Sequence, residues 1–108
     1  MNDAPLTGLR VLELGAFIAG PFAGQLLGDL GADVVKIEPP GGDIMRRYGV
    51  RVADSEGFAQ SLWWPAIARN KRSVVIDLRD ERGRELARRI AAQCDVVIEN
   101  FKPGTLAA

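Results

Sequence analysis

Four short β-branched runs, separated by segments with helical spacing, set the strongest limit on how this chain folds. They are Arg10–Leu14 (RVLEL), Asp33–Glu38 (DVVKIE), Ser73–Leu78 (SVVIDL) and Asp95–Glu99 (DVVIE). Short, largely apolar runs of this kind suit strands covered on both faces, as in parallel sheets. After the first run, a Gly-rich turn (Gly15–Gly20) leads into Pro21, whose missing N–H costs nothing in the first turn of a helix. That helix is expected to reach about Leu30, with Gly31 as its C-terminal cap. After the third run, Asp80 is expected to cap a helix over Glu81–Gln93. Its buried side would be Leu86, Ala87 and Ile90, with Glu85 and Arg89 paired on the wet side. The order strand, helix, strand, excursion, strand, helix, strand predicts an α/β domain with a mainly parallel sheet and flanking helices.

Finer features sharpen this expectation. Gly20, Gly24 and Gly28 recur every four residues, so they share a helix face that can approach a neighbouring backbone closely. Phe22, Leu26 and Leu30 form the adjacent apolar row. Residues 43 to about 60 carry no sustained periodicity and read as an irregular excursion, a length that is usually functional or mobile. A helix beginning near Ser61 is expected to break or kink at Pro65. The chain stops soon after Pro103-Gly104, where a further helix would begin. One sheet edge would then lack its neighbour, and the domain is expected to be incomplete.

Composition narrows the chemistry. With 108 residues, 14 basic and 14 acidic side chains, the chain has no overall field to draw nucleic acid or an anionic bilayer. It contains no His, which removes Ser-His-Asp and Cys-His nucleophiles and most zinc sites. A lone Cys94 cannot form an internal disulfide and reads as a small buried residue; a reducing cytoplasm is the expected location. No apolar run reaches a membrane-spanning length, and Met1–Pro5 lacks signal-peptide features.

The turn Gly15-Ala-Phe17-Ile-Ala-Gly20 departs from the known phosphate-binding turns at named positions. A dinucleotide fingerprint needs glycine where Phe17 stands, and a P-loop needs Lys-Ser/Thr where Pro21-Phe22 stands. A methyltransferase turn would be denser in glycine. Glu38, closing the second run, occupies a position that often holds a ribose hydroxyl. Arg69-Asn-Lys71-Arg72 is a basic patch that reads either as a solvated turn or as a phosphate holder. Trp63-Trp64 reads as core or subunit contact, with adenine stacking as the alternative. Ligands of open parallel sheets sit beyond the strands' carboxyl ends. Phe17, Glu38, Arg79 and Phe101 are therefore expected along one sheet edge.

Three blocks carry a resemblance that spacing alone does not supply. They are GAFIAGPFAGQLLGDLGADVVKIEPPGGD after Pro5–Leu14, then ARNKRSVVIDLRDERGRE, then DVVIENFKPGTL. In this order they resemble the beginning of the family III CoA-transferases (the CaiB/BaiF group), over about Pro5–Leu106. The resemblance implies a Rossmann-like CoA-binding domain, of which residues 1–108 would be the N-terminal part, with the second domain absent. It implies transfer of coenzyme A from an acyl-CoA to a carboxylic acid through an aspartyl-CoA thioester, without a metal. The nucleophilic Asp would lie beyond residue 108, so this segment alone would hold no catalytic residue and be inactive. Interlocked homodimers are also implied.

Carried over position by position, the CoA contacts would be Phe17 and Ile18 near the thioester end, and Arg72 within the Asn70–Ser73 block. Ile76 and Arg79 would border the nucleotide, and Asn100, Phe101 and Lys102 would form a further CoA-contacting turn. Pro39 and Pro40 stand where some members place an arginine against the adenine, and Ala107-Ala108 replace an expected basic CoA ligand. A related racemase that moves an α-proton, and a non-catalytic remnant that pairs with a longer subunit, are the alternatives. Donor and acceptor are not readable from the sequence.

Overall fold

The computed structural model describes residues 4–53, 55–57 and 59–107. Expectations that fall on Met1–Asp3, on Asp54 and Phe58 within the 43–60 excursion, and on Ala108 lie outside these residues. The elements in chain order are β1 (Arg10–Glu13), α1 (Ala19–Asp29), β2 (Asp33–Glu38), a 3-10 turn (Ile44–Arg46), β3 (Arg51–Ala53), β4 (Ala59–Ser61), α2 (Trp63–Ala68), β5 (Lys71–Val75), α3 (Glu81–Ala91) and β6 (Val96–Ile98).

Four strands form one parallel sheet in the order β5-β2-β1-β6. β1 lies centrally, with β2 and β5 added successively on one side and β6 on the other. The chain direction across the sheet therefore reverses between β1 and β6. At such a switch point the outgoing connections diverge and leave a crevice beyond the carboxyl ends. β3 and β4 pair separately as a small antiparallel ribbon, with Val52 opposite Gln60.

Period-two alternation gives the sheet two distinct faces. On one, Leu12, Ile37 and Ile76 are buried beneath Ala87, Ile90 and Ala91 of α3, with Leu14, Val35, Val74, Leu78 and Cys94 around them. On the other, Val11, Ala32 and Val34 pack with Leu6, Leu9, Leu27 of α1, Val96 and Ile98. Asp80 caps α3 as expected, accepting from the Arg82 N–H at 2.9 Å.

Several expectations change. β5 begins at Lys71 rather than Ser73, because Lys71 and Arg72 pair with Val34 and Val35 of β2. The excursion holds a 3-10 turn and the β3–β4 ribbon, whose three-residue strands are too short to show periodicity. Pro65 does not break α2: it is the third residue of that helix, within the first turn, where no intrahelical N–H bond is required. In α3 it is Arg88, not Arg89, that meets Glu85, at 3.2 Å, and Arg88 also meets Glu81 at 2.8 Å. Leu86 is exposed, while Ala87 and Ile90 face the core. The Phe22, Leu26 and Leu30 row of α1 is exposed. The glycine face of that helix turns inward instead.

Candidate functional site: the carboxyl edge of the sheet

The turn between β1 and α1 runs along the carboxyl edge beside the switch point, and side chains from three other strands or strand exits hold its backbone and that of the first turn of α1. Asn100, just past β6, accepts from the Ala16 N–H through Oδ1 at 3.0 Å and donates from Nδ2 to the Ala16 carbonyl at 2.8 Å. Lys36 of β2 donates to the Gly15 carbonyl at 2.8 Å, and Lys71 of β5 donates to the Pro21 carbonyl at 2.7 Å. The glycines leave room for these groups. A Cβ on Gly15 would overlap the Asn100 amide oxygen, and one on Gly24 would overlap a Glu13 carboxylate oxygen.

Both lysines are inside the protein, their side chains 2% exposed, so their charges require buried partners. Glu13 of β1 supplies the shared one: its Oε2 lies 2.7 Å from Lys36 and its Oε1 2.7 Å from Lys71. Asp43 contributes a second carboxylate to Lys36 at 2.8 Å, so the three ammonium donors of Lys36 meet Glu13, Asp43 and the Gly15 carbonyl. Burial pushes the Lys71 ammonium below its ordinary value, and Glu13 opposes that shift.

Next to this group, Glu38 takes four donors. Its Oε1 accepts from the Asp43 N–H at 2.7 Å and from Arg46 Nε at 2.6 Å; its Oε2 accepts from Arg46 Nη2 at 2.6 Å and from the Ser73 hydroxyl. Burial alone would raise the Glu38 carboxyl. The Arg46, Ser73 and Asp43 donors, together with the Arg46 charge, outweigh it and hold the group at about 2. Glu38 is therefore closed to a ribose hydroxyl. The Arg46 guanidinium also lies over the Trp64 ring, 4.1 Å from its centroid, which accounts for one of the two tryptophans by a cation–π contact.

Above the network the turn is exposed. Phe17 adopts a left-handed backbone (φ 64°), a conformation costly for a bulky side chain and characteristic of functional turns. Its ring, 48% exposed, meets the edge of Tyr48 with centroids 6.2 Å apart. Ile18 follows at the N-terminal boundary of α1, more exposed still.

The eight residues expected to contact CoA fall into three groups. Phe17, Ile18, Asn100, Phe101 and Lys102 flank the switch point between β1 and β6, with Phe101 half-buried and Lys102 exposed. Ile76 and Arg79 follow the carboxyl end of β5 at the far side of the sheet. The Ile76 side chain belongs to the α3-face core, while Arg79 is exposed and pairs with Asp77 at 3.2 Å. Arg72 stands apart. Near the amino end of β5, it pairs with Asp33 at the amino end of β2 (2.6 Å), beside a groove of about 500 Å³ between α3 and the sheet. The basic patch is similarly divided: Lys71 is buried on Glu13, while Arg69 pairs with Asp29 at 2.8 Å. The ionic residues Glu13, Lys36 and Asp43 carried no sequence expectation. Their signal is a charge at alternate positions of β-branched strands, Val11/Glu13 and Val34/Lys36/Glu38, where apolar side chains would ordinarily continue the face.

Residues 6–108 match the sequence model of CoA-transferase family III. A succinyl-CoA–D-citramalate CoA-transferase of Chloroflexus aurantiacus is 55% identical over 103 residues, covering 94% of this chain and 25% of the relative. The human succinyl-CoA:glutarate CoA-transferase is 42% identical over 108 residues, covering 99% of this chain and 24% of the relative. The crystal structure of a CaiB/BaiF family protein from Brucella suis superposes with a TM-score of 0.87 at 50% identity, over 96% of this chain and 28% of that one. The chain thus spans about a quarter of the length of the curated relatives it matches.

Proposed function

The chain belongs to CoA-transferase family III, and on that premise we propose that it forms the N-terminal part of the CoA-binding domain of an enzyme moving coenzyme A between an acyl-CoA and a carboxylic acid. The observation that carries this reading is the match over residues 6–108, nearly the whole chain. The donor to test first is succinyl-CoA, which the Chloroflexus and human relatives have in common by name, with a dicarboxylic acid as acceptor.

The chemistry proceeds by exchange at a carboxylate. An Asp outside residues 1–108 attacks the thioester carbonyl, giving a mixed anhydride and free CoA thiolate. The thiolate then attacks the aspartyl carbonyl, releasing the first acid and leaving an aspartyl-CoA thioester. The acceptor carboxylate attacks that thioester and the thiolate returns, yielding the new acyl-CoA and regenerating Asp. No redox partner or metal enters the balance. In this scheme residues 1–108 hold and orient CoA: the Phe17–Ile18 turn near the thioester, the Asn100–Lys102 turn across the switch point, with the Asn100 side chain itself engaged by Ala16, and the Ile76–Arg79 exit toward the nucleotide. Arg72 would act only through the Asn70–Ser73 block, since its own side chain is directed to the amino end. The working unit is the interlocked homodimer, in the cytoplasm.

The test supplies succinyl-CoA with D-citramalate or glutarate and follows the new acyl-CoA by mass spectrometry. The full chain is expected to transfer CoA and the 108-residue piece to be inactive. Absence of transfer by the full chain with any acid would sink the transferase reading. Transfer by the piece alone would overturn the location of the nucleophile.

A further inference from the structure

We infer that Asn100 is a positioning residue for the β1–α1 turn, and that its side chain serves the reaction by fixing Ala16 rather than by binding CoA. This inference rests on the transferase reading for its consequence, but its geometry stands apart. One planar amide meets both backbone groups of one residue, accepting from the Ala16 N–H at 3.0 Å and donating to the Ala16 carbonyl at 2.8 Å. Only a side chain with donor and acceptor side by side does this; a carboxylate accepts only.

Three further observations point the same way. Gly15 and Gly20 flank the amide, so that a Cβ on the first would overlap Oδ1 and one on the second would come within 3.1 Å of it. Lys36 holds the preceding Gly15 carbonyl at 2.8 Å, so consecutive carbonyls of the turn are fixed from opposite sides of β1. Phe17, the next residue, has the left-handed backbone, and such a conformation persists only when its surroundings over-determine it. The clamp also ties the exit of β6 to that of β1, supplementing the Leu14 N–H bond to the Ile98 carbonyl at 2.8 Å. It therefore bridges the switch point where the chain paths diverge. Phe17, Ile18, Phe101 and Lys102 remain free to meet a ligand on either side of it.

Kinetics and hydrogen exchange on the full chain separate the two roles. Asn100→Ala is expected to lower kcat by about 10- to 100-fold, as a loosened turn misplaces the thioester. The acyl-CoA dissociation constant should change by less than about threefold, because uniform binding contacts remain. Gly15→Ala should behave similarly, and Gly15→Ala/Asn100→Ala should be no worse than the worse single variant, since the Cβ occupies space the amide has left. Asn100→Asp keeps the acceptor but loses the donor. Its kcat relative to wild type should rise as pH falls from about 6 toward 4, when a protonated carboxyl can again donate to Ala16. The Ala16 amide should exchange about 10-fold faster in Asn100→Ala than in wild type, whatever the activity. Weakened acyl-CoA binding with kcat intact, multiplicative losses in the double variant, or unchanged Ala16 exchange would each overturn the clamp. If the wild-type full chain transfers no CoA, the transferase reading fails, and Ala16 exchange alone decides the clamp.

Discussion

The two faces of the parallel sheet use the same strands and the same alternation, yet they are stabilised differently. Under α3 the buried positions are Leu12, Ile37 and Ile76, an apolar layer held by close packing. On the α1 face, apolar Val11 and Val34 give way toward the carboxyl end to Glu13, Lys36 and Glu38, while Lys71, beside Val34, reaches along the face to Glu13. Buried ion pairs of this kind are weak sources of net stability, because desolvation offsets much of their attraction. Their geometry shows what they supply instead: Lys36 ends on the Gly15 carbonyl in the turn between β1 and α1, and Lys71 on the Pro21 carbonyl in the first turn of α1. One face provides the stability, and the other provides fixed backbone at the edge where a ligand would sit.

The sharpest way to break that comparison is to remove the centre of the network. Lys36→Met leaves Glu13 with one cation and Asp43 with no ion pair among the described residues, both buried. Stranding buried charge in this way costs about 3–5 kcal/mol, to be read from denaturant unfolding near neutral pH. A loss below about 1 kcal/mol would mean the network is effectively solvated, and the contrast between the faces would collapse.

Acid should weaken the ionic face selectively. Glu38 sits at about 2 when folded against an ordinary value of 4.5. A carboxylate depressed in the folded state adds stability that is complete above the unfolded value and is lost as pH falls through the folded one. The window is therefore pH 4.5 down to about 2. With Arg46 partly exposed, the contribution is on the order of 2 kcal/mol. Stability curves of wild type and Glu38→Gln should converge across that window. Curves that run parallel would show that Glu38 is not the titrating group.

Much of the scaffold was legible because strands and helices announce themselves locally. DVVKIE forms β2 over the expected span, Asp80 caps α3, and the Gly20/Gly24/Gly28 face turns inward as its spacing implied. Two of the misreadings concern charged residues, whose burial nothing in the local pattern announces. Lys71 reads as part of a basic turn, solvated or holding phosphate, which puts the start of β5 two residues late, whereas the ammonium lies in the interior against Glu13. Glu38 looked like a ribose ligand and is occupied by Arg46, Ser73 and Asp43. The Glu38–Ser73 bond joins residues 35 positions apart, and the Lys36–Glu13 bond beside it residues 23 apart; local pattern carries no information about either. Asn100 stood out only through the family resemblance, and that resemblance could not say which atoms its amide would meet.

The mildest test asks whether the two faces are separable. Asp80 holds the start of α3 by accepting the Arg82 N–H at 2.9 Å, and its side chain is half exposed. Asp80→Ala removes one cap, which costs about 1 kcal/mol. Because α3 packs on Leu12, Ile37 and Ile76 and not on the ionic positions, that loss should appear in global unfolding alone. Local opening of the β1–α1 turn depends on Asn100 and Lys36, neither of which touches the cap, so exchange at Ala16 should be unaltered under native conditions. If Ala16 instead opens faster in step with the global loss, the turn has no stability of its own. The apolar face would then set the geometry of the carboxyl edge, and the buried charges would merely be carried by it.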